Sequence, residues 1–233
     1  SIGTFKRNRE MTTKDRLNEH NRDRWIAAHN KENSIWDELT KLITQEYLCE
    51  SGELKKIDIS VIDTGFATKA VMKYIAQISD SGALVYGVKG KSEAEFRQIT
   101  KDTAMISRSR ESQLLYLVEG NQTKDLLSYN MKLIDSDMEL SPDGMMFFPA
   151  SIDGKYSLKD YFKHFEAEAR KEVIKNGDVV GYSWQKVSDS SVNHFLDVKV
   201  YALSAREIFI DLIRKTDKTA SNLTWDEYRN LFN

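Results

Sequence analysis

The stretch Ile57-Asp58-Ile59-Ser60-Val61-Ile62-Asp63-Thr64-Gly65 decides how this chain is read. Its β-branched residues predict a buried strand that ends at Asp-Thr-Gly. By the period-two rule Ile57, Ile59, Val61 and Asp63 share one face, so Asp63 extends an apolar face to the strand's carboxyl end. Upstream, Ser34-Ile-Trp-Asp37 marks a helix start, and Ile35, Leu39, Leu42 and Ile43 fall on one stripe; Gly52 is read as that helix's exit. Downstream, a helix over 67–79 leads to a second strand, Ala83–Val88, ending at Lys89-Gly90.

Further out the spacing predicts a polar, basic loop over Lys91–Ser112, a third strand at Leu114–Val118 and a helix over Thr123–Leu133. Ser141-Pro-Asp-Gly144 reads as a turn before the apolar run Met145–Phe148. A long helix is expected over 157–175, stopped by Asn176-Gly177. An edge strand or hairpin at Tyr182–Val187, a helix over about 192–214 and a short terminal helix from Thr224 complete the reading. Strands alternating with helices indicate an α/β class with a largely parallel sheet, whose ligands gather at the strands' carboxyl ends. Three segments are expected: a charged arm or helix over 1–33, a main domain over 34–215, and a tail over 216–233.

Composition narrows the function. The 233 residues hold 34 Lys+Arg against 36 Asp+Glu, for a net charge of −2, and 40% are hydrophobic. That composition is globular. No apolar run approaches the roughly 20 residues of a membrane helix, and no secretory leader is visible. The single Cys49 rules out an internal disulfide, and a reducing cytoplasm fits. It is read as a buried structural thiol at a helix end. One Cys and four scattered His exclude a zinc-finger pattern. The small net charge argues only weakly against nucleic acid, because local distribution decides binding.

Asp197 is the second carboxylate of interest. Positions 197, 201, 205, 208 and 212 form one helical stripe, and Tyr201, Ala205, Ile208 and Leu212 make it core-facing. A carboxylate at its head needs a partner. For Asp63 the bland reading is a cap on the following helix or turn; for Asp197 it is a salt bridge or an exposed first turn. Together, a strand-end Asp and an inward Asp on a late helix are the oxygen ligands by which Mg²⁺ or Mn²⁺ is held. His164 reads as solvated, and Trp25, Trp36 and Trp184 as packing residues.

Five segments in order make a resemblance: Ile59-Ser-Val-Ile-Asp-Thr-Gly65, Gly87-Val-Lys-Gly90, Gly120-Asn-Gln-Thr-Lys-Asp125, Met146-Phe-Phe-Pro149 and Asn193-His-Phe-Leu-Asp-Val-Lys-Val-Tyr201. Over about residues 25–210 the chain resembles the nuclease domain of the lambda-type tailed-phage terminase large subunit. The resemblance implies an RNase H-like fold with a central mixed sheet flanked by helices. It implies a metal-dependent endonuclease that cuts concatemeric viral DNA during packaging, using Mg²⁺ or Mn²⁺ at a two-metal site. Asp63 and Asp197 fall on catalytic, metal-binding acids, and Lys89 and Lys124 on positions that are basic in the family, where phosphate contact and a structural role both stand. Implied partners are double-stranded DNA, the ATPase domain of the same subunit, the small terminase subunit and the portal, in the host cytoplasm during virion assembly, with no membrane.

Three departures accompany it. No Gly-x-x-x-x-Gly-Lys-Ser/Thr segment is present, so the ATPase motor is not expected in these residues. The family's first metal-binding Asp lies on an opening hairpin that residues 1–24 do not show; Asp15, Asp23 and Asp58 are poor substitutes, so a third carboxylate is missing. His194 stands where the family carries Glu. Two other readings therefore stay open: a non-catalytic DNA-binding or docking module using the basic segment 91–110, and a resolvase-like nuclease.

Overall fold

The computed structural model describes residues 35–49, 51–99, 104–133, 144–146, 148 and 159–216. The expected charged arm, the turn at Ser141–Asp143 and the terminal helix lie outside the described residues. Two compact units emerge. One holds the described residues up to Lys89 together with Ser109–Leu115; the other holds Gly90–Arg108 and the described residues from Tyr116 onward.

The first unit opens with helix α1 (Ile35–Thr44) and two short antiparallel strands, β1 (Tyr47–Leu48) and β2 (Leu54–Lys55). Strand β3 (Ser60–Asp63) follows, then helix α2 (Thr68–Ser79) and strand β4 (Val85–Lys91). β3 and β4 pair in parallel, with Asp63 in register with Val88. α2 buries Val71, Tyr74, Ile75 and Ile78, an i, i+3, i+4, i+7 stripe, against Val85 and Ile43. Burying each such aliphatic side chain stabilises the unit by about 1.5–3 kcal/mol. Trp36 of α1 stacks on Tyr74 at 4.6 Å between centroids, and Thr40 Oγ1 shares a 2.9 Å hydrogen bond with the Tyr74 hydroxyl. Trp36 is thus a packing residue, as its sequence context implied.

The second unit contains helix α3 (Glu93–Ile99), strands β5 (Ile106–Arg108) and β6 (Leu115–Glu119), helices α4 (Gly120–Asn130) and α5 (Lys159–Lys163), the hairpin β7 (Glu168–Lys175) with β8 (Asp178–Lys186), and helix α6 (His194–Thr216). β5 and β6 are antiparallel. Parallel and antiparallel strands flanked by α-helices make a mixed α/β sheet architecture, consistent with an RNase H-like fold. No described helix is long and apolar enough to cross a membrane.

Several expectations are corrected. The deciding strand begins at Ser60 rather than Ile57, because Ile57 and Asp58 are exposed and unpaired with β4. The basic loop over 91–112 contains α3 and β5. α3 starts at a capping box: Ser92 Oγ accepts the Glu95 N–H, and Glu95 Oε2 accepts the Ser92 N–H at 3.1 Å. That backbone donor is the main reason the Glu95 carboxyl is pulled down to about 2.

The long helix over 157–175 is instead the five-residue α5 followed by strand β7. Asn176 (φ 55°) and Gly177 (φ 93°) are both left-handed, so Asn-Gly is a hairpin turn here and not a helix stop. Gly52 (φ 81°) likewise turns the β1–β2 hairpin, since α1 already ends at Thr44. Cys49 sits in that hairpin, its N–H donating to the Glu53 carbonyl at 2.9 Å, and it is only half-buried. The helix expected over 123–133 begins at Gly120, because the buried Glu119 caps it from the end of β6.

Candidate functional site

In the first unit, β3 delivers Asp63 to its carboxyl end, where the side chain is exposed. The Gly65 N–H donates to Asp63 Oδ1 at 2.9 Å, closing a local turn. That matches the bland expectation of a turn cap; α2 itself has Ala67 as its N-cap, with no side-chain cap bond. Gly65 packs closely against the Asp63 carboxylate. A Cβ there would lie 3.2 and 3.3 Å from the two Asp63 carboxylate oxygens. Lys89, half-buried, directly follows Val88, the register partner of Asp63. The first unit therefore brings one acid and one base to the same end of a parallel strand pair.

Thr64 is wholly buried beneath Asp63. Its N–H and its hydroxyl both donate to the Val88 carbonyl, at 2.9 and 3.0 Å. Its methyl packs so close to Gly87 that a Cβ at 87 would approach it to 2.8 Å. The Gly87 of the sequence motif is thus a close-packing position.

The second unit carries Asp197 and Lys124, and it brings them together. They line a cleft of about 440 Å³ with Lys91, Asn121, Trp184 and Tyr201, among others. Asp197 lies in the first turn of α6, with its side chain 40% exposed. Tyr201 lines the same cleft one turn on, whereas Ala205 and Ile208 are buried; the stripe read from the sequence passes from cleft to core. Lys124 Nζ stands 3.9 Å from Asp197 Oδ1 and 2.6 Å from Glu168 Oε2. The salt-bridge reading of Asp197 is therefore met, at the long end of the range, by Lys124.

Glu168 was not singled out in the sequence. It begins β7, its side chain only 6% exposed, and its second oxygen accepts from Asn193 Nδ2 at 2.6 Å. Breaking a buried pair of this kind costs about 3–5 kcal/mol, because one charge is stranded. No local signal marked it, since its partners lie on α4 and before α6. Asn121 and Asp125 are similarly long-range: Asn121 Oδ1 accepts the Trp184 N–H at 3.1 Å, and Asp125 Oδ1 accepts the Trp184 indole N–H at 2.8 Å. Trp184 therefore anchors β8 to α4 by polar bonds as well as by packing.

His164 is half-buried rather than solvated, a correction. Its Nδ1 accepts the Phe195 N–H at 3.2 Å, and its ring packs 4.6 Å from Phe195. That bond satisfies an orphan donor in the first turn of α6. His194 is exposed, its ring 6.1 Å from that of His164. Farther along α6, the Tyr116 hydroxyl receives Arg108 Nε at 3.0 Å and donates to Asp211 Oδ2 at 3.1 Å. Burial, above all, pushes the Tyr116 hydroxyl up to about 12.

Among the described residues, no group of three or more His, Cys, Asp or Glu side chains is gathered to hold a metal ion. Asp197 is a hard oxygen donor at an open cleft, which suits Mg²⁺ or Mn²⁺, with an ammonium close enough to compete for it.

Each unit is α/β in character: the first ends a parallel strand in an acid, and the second carries an acid at the head of a late helix. Residues 19–214 match the family model described as terminase large subunit gpA, endonuclease domain, and the chain belongs to that family. No curated protein and no solved structure matches the chain.

Proposed function

We propose that this chain is a metal-dependent DNA endonuclease that cuts concatemeric viral DNA during genome packaging. The observation that carries the reading is the family match over residues 19–214, which spans both Asp63 and Asp197. In this reading residues 34–215 form the nuclease domain, preceded by a charged arm and followed by a tail.

Asp63 and Asp197 hold Mg²⁺ or Mn²⁺, at a two-metal site, and position the attacking water. Such ions supply a nucleophile at neutral pH and stabilise the departing oxygen of the phosphodiester. Lys89 and Lys124 contact the phosphate backbone. Support for the lysines is their placement: each stands near one of the two acids, Lys89 by strand register and Lys124 across 3.9 Å. The partners are double-stranded DNA, the ATPase domain of the large subunit, the small terminase subunit and the portal, in the host cytoplasm during virion assembly.

The test is nicking of supercoiled plasmid by the purified chain in Mg²⁺ or Mn²⁺. Asp63→Ala and Asp197→Ala should each reduce the rate about a hundredfold or more. Absence of nicking by the unaltered chain in either metal refutes the endonuclease reading, and salt-sensitive DNA binding without cutting would then support a non-catalytic module. Undiminished nicking by both variants refutes the residue assignment.

A further inference from the structure

We infer that Glu168 is a positioning residue, which holds the Lys124 ammonium at the long end of ion-pair range from Asp197 and keeps it from closing further. The inference rests on the endonuclease reading for its functional consequence, and on the second unit's geometry for its substance.

Glu168 has both carboxylate oxygens engaged. Oε2 accepts from Lys124 Nζ at 2.6 Å and Oε1 from Asn193 Nδ2 at 2.6 Å. Asn193 in turn accepts the Asp197 N–H on its carbonyl, at 3.0 Å, at the start of α6. One buried carboxylate thus fixes the ammonium and also the turn that carries the acid. Both oxygens being occupied and the side chain 6% exposed, Glu168 itself does not face the cleft's contents.

The distances show what it prevents. Lys124 is 15% exposed and makes its short bond to Glu168, leaving 3.9 Å to Asp197. Without the Glu168 charge, the flexible lysine stem would swing its ammonium onto the nearest remaining carboxylate, Asp197. That contact pair would neutralise an acid needed for a cation and withdraw a cation needed for a phosphate. Held by Glu168, the ammonium stays 3.9 Å from Asp197, and the lysine's rotamer freedom is surrendered before substrate arrives.

Glu168→Gln separates the two arms, because its amide oxygen can still accept from Asn193 while the negative charge that holds Lys124 is lost. In the plasmid assay it should lower kcat about tenfold, with KM changed less than about threefold, and raise the half-saturating Mn²⁺ concentration several-fold. Placed on Lys124→Met, the same change should add nothing, since its effect passes through Lys124. Independently of activity, the Lys124 ammonium of ¹⁵N-labelled protein should give a slowly exchanging resonance that Glu168→Gln abolishes.

A full kcat loss persisting in the Lys124→Met background overturns the inference, as does an ammonium resonance unchanged by Glu168→Gln. Failure of the unaltered chain to nick DNA would sink the endonuclease reading instead, and the ammonium resonance would still decide for or against Glu168.

Discussion

Substituting Gly87 by Ala tests how tightly the two parallel strands are locked where Asp63 leaves the sheet. The added Cβ would lie 2.8 Å from Thr64 Cγ2, 3.0 Å from Met72 Sδ and 3.3 Å from Leu115 Cδ1. The methionine can yield, being unbranched and soft. Thr64 cannot do so freely, because rotating its methyl away would pull its hydroxyl off the Val88 carbonyl inside a fully buried site. Overpacking of this kind costs about 1–3 kcal/mol. Against it, alanine restricts the unfolded chain and returns about 0.4–1 kcal/mol. The net expectation is a loss of about 1–2 kcal/mol, or about 2–8 °C in melting temperature for a chain of this size. Urea titration followed by circular dichroism, with a parallel calorimetric scan, measures both. Thr64→Ser supplies the control, since it deletes the crowded methyl and keeps the hydroxyl. Combined with Gly87→Ala it should be less destabilising than the sum of the single changes, with a coupling of about 1 kcal/mol. A Gly87→Ala protein as stable as the parent, or strict additivity in the double variant, would refute the packing argument.

Three further expectations follow from other parts of the structure. Gly65→Ala places a methyl against the Asp63 carboxylate and should depress nicking about tenfold or more through displaced geometry, while melting unchanged within a few degrees; normal nicking would show that the carboxylate's placement there is not critical. Tyr116 has its hydroxyl raised to about 12 in the folded chain, against about 10 for an unfolded tyrosine, so its contribution is intact below pH 10 and is lost as pH climbs toward 12. Tyr116→Phe should therefore flatten the fall in stability over that window, measured by urea unfolding at successive pH values, and an unchanged slope would remove Tyr116 as its source. Trp184→Phe removes the indole donor to Asp125, which keeps its 3.1 Å pair with Arg170, and should cost about 0.5–1.5 kcal/mol in unfolding free energy, with a hairpin more open to proteolysis; equal stability would deny that the indole bond anchors β8.

What was legible in the sequence is what depends on neighbours in the chain. The helix over 67–79 and the Asp197–Leu212 stripe translate directly into helices, because side-chain period follows backbone geometry. The face read for the deciding strand is reversed: Ile62 packs on the core while Ile57 and Asp63 are exposed. The β7 strand was not legible: its charged residues alternate with Ala169, Val173 and Ile174 in a pattern that suits a helix nearly as well. Only the pairing with β8, which begins across a two-residue turn, decides it. The Ser92-x-x-Glu95 box is a helix-start signal set in a segment whose basic residues suggest a loop. In the site, Asp197 and Lys124 were readable singly, but their common partner was not. Glu168 is 44 positions from Lys124, and nothing at either position encodes the other.

The first unit is not a continuous length of chain. It runs to Lys89, then lacks the stretch Gly90–Arg108 that belongs to the second unit, and is completed only by Ser109–Leu115. The Gly87 N–H donates to the Leu114 carbonyl at 2.7 Å, and Leu114 packs against the first unit's core. During synthesis, the strand bearing Asp63 would therefore emerge before the residues that complete its unit, and closure must await the intervening excursion. The same interleaving sets a rule for dissection. A fragment ending at Lys89 would leave apolar surface uncovered and that N–H unbonded, so the acid at the strand end is best studied with the chain carried through both units.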